Sequence, residues 1–207
     1  MEKRFLGSKK DLEEYKKRLW TKLGYRDSAN VIYDYGITCV KVNGLFLEFG
    51  VFEAKSLNYI ARFNKNNIVY GFDSFDGLPE DYTKKGYKKG TFKLEVLPKV
   101  EDNVILVKGL FQDTLEKFLK GKKEKVAYLN LDADLYSSTY YVLDTLLKHK
   151  RIVKGTVIQF DEFLLSEGDV WYKTEYYALY DIIKKYNIRV KLLTLIGRRL
   201  LLEVTEV

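Results

Sequence analysis

The chain has 207 residues, 36 Lys and Arg against 29 Asp and Glu for a formal net charge of +7, and 46% hydrophobic residues. That length and hydrophobic content suit one soluble globular domain with a full core and exclude a disordered chain. The one Cys (Cys39) and one His (His149) exclude an internal disulfide and a Cys/His zinc centre, so a general base is expected to be a carboxylate, Lys or Tyr.

Residues 1–40 read as an N-terminal helical extension, 41–187 as an α/β core and 188–207 as a closing hairpin. Met1-Glu2-Lys3-Arg4 opens directly into a charged amphipathic stretch. No apolar leader and no run of some 18 apolar residues is present, so a cytoplasmic protein with no membrane partner is expected. Residues 9–23 place Leu12, Tyr15, Leu19 and Leu23 at helical steps behind Ser8 as N-cap. The Lys residues are scattered in short groups such as Lys16-Lys17-Arg18, Lys84-Lys85, Lys122-Lys123 and Lys184-Lys185. A nucleic-acid partner needs its positive charge gathered on one face, so the surplus is read as solvated surface.

Strand-length apolar runs follow at 45–49, 68–72, 104–107, 126–131 and 156–160. Helix-like stretches lie at 55–63, 111–119, 137–149 and 171–186. Apolar strands alternating with helices predict a parallel sheet covered on both faces. His149 falls in His-Lys-Arg at a helix end, where a solvated role suits it. Residues 188–195 and 200–204 are β-prone and separated by Ile196-Gly197-Arg198-Arg199, too short for a crossover, so they predict an antiparallel hairpin. The segment 74–98 is the one long irregular stretch, able to cover a site or to carry a further helix.

Ligands of open α/β sheets bind beyond the carboxyl ends of the strands. The first run ends Leu47-Glu48-Phe49-Gly50, with a lone Gly rather than a Gly-x-Gly-x-x-Gly cradle. The second ends at Asp73, suited to both hydroxyls of a ribose. The third ends at Gly109, where an adenine ring could approach and Gln112 could bond its edge; Asp113 is also a candidate N-cap. The fourth ends in Asp132-Ala133-Asp134 and the fifth in Asp161-Glu162. Four carboxylates at neighbouring strand ends repel one another and persist most easily around a hard cation, Mg²⁺ first, although Asp134 can also cap the helix that follows.

The chain resembles the class I S-adenosylmethionine-dependent O-methyltransferases, most closely the macrocin and mycinamicin sugar O-methyltransferases and more distantly catechol O-methyltransferase. The resemblance rests on Leu47-Glu48-Phe49-Gly50, Asp73-Ser74-Phe75-Asp76-Gly77-Leu78-Pro79, Gly109 to Leu115, Leu131-Asp132-Ala133-Asp134-Leu135-Tyr136-Ser137-Ser138-Thr139 and Phe160-Asp161-Glu162-Phe163. It implies a Rossmann-like, mostly parallel seven-stranded sheet with helices on both faces. It further implies Glu48, Gly50 and Ser56 around the methionine part of the cofactor, Asp73 with Ser74 at the ribose, and Gly109, Phe111 and Gln112 at the adenine. Asp132 would border the cofactor too, and Asp132, Asp161 and Glu162 would hold a divalent cation, with Mg²⁺ the first expectation. Two departures stand out: Glu53-Ala54 where relatives often carry a second Gly, and Asp161-Glu162 where the family usually shows Asp-Asp.

The implied reaction is divalent-metal-assisted methyl transfer to a hydroxyl of a sugar or other small polyhydroxylated acceptor. The metal on Asp132, Asp161 and Glu162 would bind two vicinal acceptor oxygens and lower the pKa of the attacking hydroxyl, with Asp132 or Asp134 taking the proton and Lys55 and Tyr136 as weaker candidates. Phe75, Tyr82, Tyr87, Trp171 and Tyr172 could wall the acceptor, or Trp171 could simply pack its helix. A homo-oligomer remains open. Rival readings are an NAD-dependent oxidoreductase, which would want a fuller Gly loop, a nucleic-acid methyltransferase, and an adenosyl-binding domain without activity.

Overall fold

A computed structural model describes residues 29–82, 86–163 and 175–207. The expected helix at 9–23, Trp171 and Tyr172 lie outside the described residues. Helix α1 is Ala29–Cys39, followed by β1 (Leu45–Phe49), α2 (Lys55–Phe63), β2 (Val69–Asp73) and β3 (Val104–Lys108). Then come α3 (Phe111–Lys120), β4 (Val126–Leu131), α4 (Tyr136–Lys148), β5 (Val157–Phe160), α5 (Glu175–Tyr186), β6 (Arg189–Ile196) and β7 (Arg199–Glu206). The strands form one seven-stranded sheet in the order β3-β2-β1-β4-β5-β7-β6, parallel from β3 to β5 and antiparallel at β5-β7 and β7-β6. The sequence-level fold class holds, including the hairpin, whose turn is Gly197 and Arg198.

Strands β1, β4 and β5 are buried along their whole length because helices cover both faces. On one face Leu115 and Leu119 of α3, Val142 and Leu146 of α4 and Leu179 of α5 pack on Phe49, Leu129 and Phe160. On the other, Ile32 of α1 and Leu57 and Ile60 of α2 pack on Phe46 and Tyr128. Each of these fully buried side chains stabilises the fold by about 1.5–3 kcal/mol relative to exposure. Among the described residues no helix is long and apolar enough to cross a membrane.

Helix α1 falls within the helical extension expected at 1–40, but sequence patterning gave it no bounds of its own. Its run Ala-Asn-Val-Ile-Tyr-Asp-Tyr-Gly-Ile-Thr-Cys is rich in β-branched residues and interrupted by Gly36, so local propensity is poor. Tertiary packing overrides it: a Cβ on Gly36 would meet the Tyr128 ring at 3.0 Å and Leu201 at 3.1 Å, so the missing side chain lets the helix lie close on the sheet. Neither Asp113 nor Asp134 caps a helix. The N-cap positions are Leu110 and Leu135, neither with a side-chain cap bond, and Asp113 sits in the first turn of α3.

In the described parts of 74–98 no further helix forms. The segment closes on itself through Leu94 N–H to the Phe75 carbonyl (2.9 Å) and Gly90 N–H to the Leu78 carbonyl (2.9 Å), with a bridge between Tyr82 and Tyr87. Leu78 and Tyr82 share a small core with Leu135, which fixes the flap to the turn after β4.

Asp144 ties α4 to α5. Its carboxylate accepts from Lys185 Nζ (2.6 Å), Lys148 Nζ (2.7 Å) and Tyr186 Oη (2.7 Å). Burial alone would raise its pKa, but these bonds outweigh it and hold the group at about 2. A carboxyl depressed on folding contributes stability that is present above its unfolded pKa and lost as pH falls through the folded one. The Lys partners are half exposed and screened, so Asp144→Asn is expected to cost only about 1–2 kcal/mol at neutral pH. In denaturant melts the gap from wild type should shrink between about pH 4 and pH 2.

Candidate cofactor and acceptor site

The register of the sheet brings the strand ends level. Gly50 N–H donates to the Phe72 carbonyl, Asp132 N–H to Phe49, Asp161 N–H to Leu131 and Gly109 N–H to Asp73, all at 2.9–3.0 Å. A cavity of about 380 Å³ opens beyond them, floored by the strand ends and covered by the 74–94 flap.

On the β1-β2-β3 side the chain makes room for a ligand with backbone. Gly50 has φ 89°, and a Cβ there would lie 1.9 Å from the Asp132 carbonyl oxygen, so only Gly allows the turn to cross the end of β4. Asp73 anchors this turn: Oδ2 accepts from Val51 N–H (2.8 Å) and Phe52 N–H (2.9 Å), and Oδ1 from Phe75 N–H (2.7 Å). Two carboxylate oxygens offer about four acceptor sites, so Asp73 still has capacity for a hydroxyl in the cavity it lines. Ser74, Phe111 and Gln112 also line the cavity. Gly109 adopts φ 136° beside them without lining it, and a Cβ there would press on Thr114 at 2.8 Å. These residues fit an adenosine-sized group.

Glu48 and Ser56 lie beneath the floor and do not line the cavity. Glu48 is fully buried, with Oε1 accepting from Ser56 Oγ (2.7 Å) and Oε2 from Asn130 Nδ2 (3.0 Å). Desolvation raises its pKa to about 7, against the lowering effect of those two bonds. Its place in the central strand, side chain turned into the packed layer under α2, explains the displacement from the cavity.

On the β4-β5 side Asp132, Asp134, Asp161 and Glu162 all line the cavity. Asp132 keeps a partly exposed face, yet desolvation first, and then the charges of Asp161, Asp134, Glu48 and Glu162, push its pKa well above the carboxylate range. The expected cation site is not assembled. Among the described residues no group of three or more His, Cys, Asp or Glu is arranged to hold a metal ion. Two of the three presumed ligands instead face arginines of the hairpin: Arg199 Nε lies 2.5 Å from Asp161 Oδ1, and Arg198 lies 3.2 Å from Glu162 Oε1. The donor set as arranged therefore does not fit Mg²⁺, which needs near-octahedral oxygen coordination.

Glu175, the first residue of α5, went unnoticed in the sequence because nothing local marks it. It is fully buried, accepts the Glu162 N–H at Oε2 (3.0 Å), and is driven toward its neutral form by desolvation and by Asp132, Asp161 and Asp134. The aromatic wall also differs from expectation. Phe75 and Tyr82 are core residues, at 2% and 3% exposure, whereas Tyr87 lines the cavity together with Phe52 and Phe92. Phe92 stacks edge-on against both, at centroid distances of 5.4 Å to Phe52 and 5.1 Å to Tyr87.

The other proposed bases stand away from the cavity. Lys55 is exposed and paired with Glu53, and Tyr136 donates to Asp181 (2.9 Å), its pKa raised to about 12 by desolvation and that bond. His149 ends α4 and pairs with Glu116 at 2.6 Å, as its surface role predicted.

The family model described as Macrocin-O-methyltransferase (TylF) matches residues 35–187. Among solved structures, the calicheamicin methyltransferase CalS11 is similar with a TM-score of 0.68 at 19% identity, over 95% of this chain and 93% of that one. The O-methyltransferase NovP is similar with a TM-score of 0.61 at 21% identity, over 86% and 79%. An O-methyltransferase from Bacillus cereus, solved with SAH, gives 0.53 at 14% identity over 97% and 93%. At these identities the solved structures speak for the fold, a class I methyltransferase sheet. No curated protein sequence matches the chain.

Glu48 gives this site a pH signature. An acid whose pKa rises on folding costs stability as pH climbs from its unfolded value through the folded one, here from 4.5 to about 7. Glu48→Gln keeps both hydrogen-bond partners and removes the charge. In the ligand-free protein it is expected to match wild type near pH 4 and to exceed it by up to about 3 kcal/mol above pH 7. A difference that stays flat from pH 4 to 8 would show that Glu48 is not desolvated.

Proposed function

The chain belongs to the Macrocin-O-methyltransferase (TylF) family and is an O-methyltransferase, and we propose that it methylates a hydroxyl of a sugar or similar polyhydroxylated small molecule, using S-adenosylmethionine. The observation that carries this reading is that one cavity is bordered by the Gly50 turn, Asp73 and Gln112 on one side and by Asp132 on the other. A sugar acceptor is supported by the family description and by CalS11, described as a TDP-rhamnose 3'-O-methyltransferase. The lone Gly50 argues against a dinucleotide cradle, and the acids of the cavity would repel nucleic-acid phosphates.

When bound, S-adenosylmethionine supplies a methyl group already activated on a sulfonium. The residues of the chain hold and orient. Asp73 takes the ribose hydroxyls with oxygens already ordered by three backbone N–H groups, and Phe111 and Gln112 flank the adenine with Gly109 behind them. Phe52, Phe92 and Tyr87 exclude water from the mouth of the cavity and offer apolar faces to a sugar ring.

Asp132 is placed to accept the hydroxyl proton as the new O–C bond forms. Its raised pKa makes it a stronger base than an exposed carboxylate, which narrows the gap to an alcohol. Asp134, with φ 59° on the turn above, is the second candidate base. Arg199 and Arg198 face Asp161 and Glu162, so no step is assigned to a divalent cation.

Calorimetry with S-adenosylhomocysteine, followed by methyl transfer to a panel of sugars, tests the reading. Micromolar binding and O-methylation are expected; binding of NAD(H) in its place would overturn the assignment. Asp132→Asn is expected to lower kcat by about 10²–10⁴-fold while leaving S-adenosylhomocysteine affinity within a few-fold. Because only the deprotonated carboxylate accepts a proton, kcat/KM should fall as pH drops, with its midpoint above the ordinary carboxylate range.

A further inference from the structure

Sheet register places an arginine against the acid cluster. Phe160 of β5 pairs with Leu200 of β7, so the next residue outward on each strand meets the other: Asp161 faces Arg199. The contact is short, 2.5 Å from Arg199 Nε to Asp161 Oδ1, with the side chains 16% and 7% exposed. Arg198, in the hairpin turn, reaches from the other side, 3.2 Å from Glu162 Oε1 and 3.9 Å from Asp161 Oδ2, and itself lines the cavity.

A guanidinium is permanently charged and brings five N–H donors in a fixed plane. Two of them therefore supply positive charge where four acids converge and where a cation would otherwise be required. A divalent ion at Asp161 and Glu162 would have to share their oxygens with both guanidinium groups and sit against two fixed positive charges. Among the described residues lining the cavity Arg198 is the one basic side chain, and so the one placed to donate to an acceptor oxygen beside Asp132.

We propose that Arg198 and Arg199 take the charge-neutralising place of a divalent cation in this site, and that methyl transfer by this chain does not depend on divalent metal. The inference rests on the methyltransferase reading above. It assigns Arg199 as a positioning residue for Asp161 and Arg198 as an acceptor-binding residue.

The test compares wild type with Arg198→Met, Arg199→Met and the double variant, each dialysed against chelator and then supplied with Mg²⁺. Wild type is expected to keep its rate within about twofold with or without chelator, and its melting midpoint should not move with millimolar Mg²⁺. Arg198→Met should raise KM for the acceptor about tenfold with S-adenosylhomocysteine affinity unchanged. The double variant, with its acids released, should gain a Mg²⁺-dependent rise in melting midpoint that wild type lacks. A wild-type rate that collapses on chelation and returns with Mg²⁺ would overturn the proposal, as would a wild-type midpoint that rises with Mg²⁺. If no acceptor is methylated under any condition, the functional reading fails, and the Mg²⁺ melts of wild type still decide the question of the arginines. Should the variants not fold, the wild-type rate and melting arms decide it alone.

Discussion

The site depends on how closely the turn after β1 passes the end of β4. Gly50 adopts a left-handed φ with the Asp132 carbonyl where a Cβ would be, so the two central strands end almost in contact. From that approach the remaining geometry follows. The turn delivers the Val51 and Phe52 N–H groups to Asp73, which fixes a carboxylate at the end of β2 and orders the loop into α2. Asp132, one residue past β4, is left at the centre of the cavity, between the Asp73 side and the acids of β5. A larger residue at position 50 would separate the strand ends and undo both halves together.

That closeness has an electrostatic cost, and the structure distributes it unevenly. The whole chain carries +7, yet among the described residues five acids and one Arg line the cavity. Glu48 and Glu175 add two fully buried carboxyls behind the lining. Desolvation raises the pKa of both, Glu48 to about 7, so each adds less repulsion than an ordinary carboxylate would. Asp161 and Glu162 meet the problem differently, through Arg199 at the start of the strand that pairs antiparallel to β5 and Arg198 in the turn before it. The hairpin that distinguishes this sheet from an all-parallel one therefore contributes charge to the site as well as an extra two strands.

The fold was legible because its signals are local. Five apolar strand runs, four amphipathic helices and a hairpin turn each declare themselves locally, and their succession suffices for a parallel α/β sheet closed by an antiparallel hairpin, while the strand order comes from the structure. The strand-end rule also located Gly50, Asp73, Asp132, Asp134, Asp161 and Glu162 near one cavity. What it could not supply was depth and pairing. Glu48 and Gly50 are two residues apart, but alternation along β1 turns one into the packed layer and leaves the other at the turn. Arg198 and Arg199 meet Asp161 and Glu162 only through the β5-β7 register, a relation across some 37 residues that no motif records. Helix α1, inside the helical extension expected at 1–40, received no bounds for the same reason, since its stability comes from the sheet beneath Gly36 and little from its own residues.

Backbone strain marks where packing alone does not explain the sequence. Phe52, Phe92 and Asp134 all line the cavity, and all adopt positive φ, at 47°, 71° and 59°. Each costs on the order of 1 kcal/mol or more that a Gly would not. At 52 and 92 the benefit is visible: the two rings meet edge to face across the mouth of the cavity, and both keep more than a third of their surface exposed. A core contact would have buried them. At 134 the left-handed turn sets the chain between Asp132 and α4, so that Leu135 enters the small core with Leu78 and Tyr82 beneath the flap. The strained residues thus connect flap, turn and strand ends into one rim around the cavity.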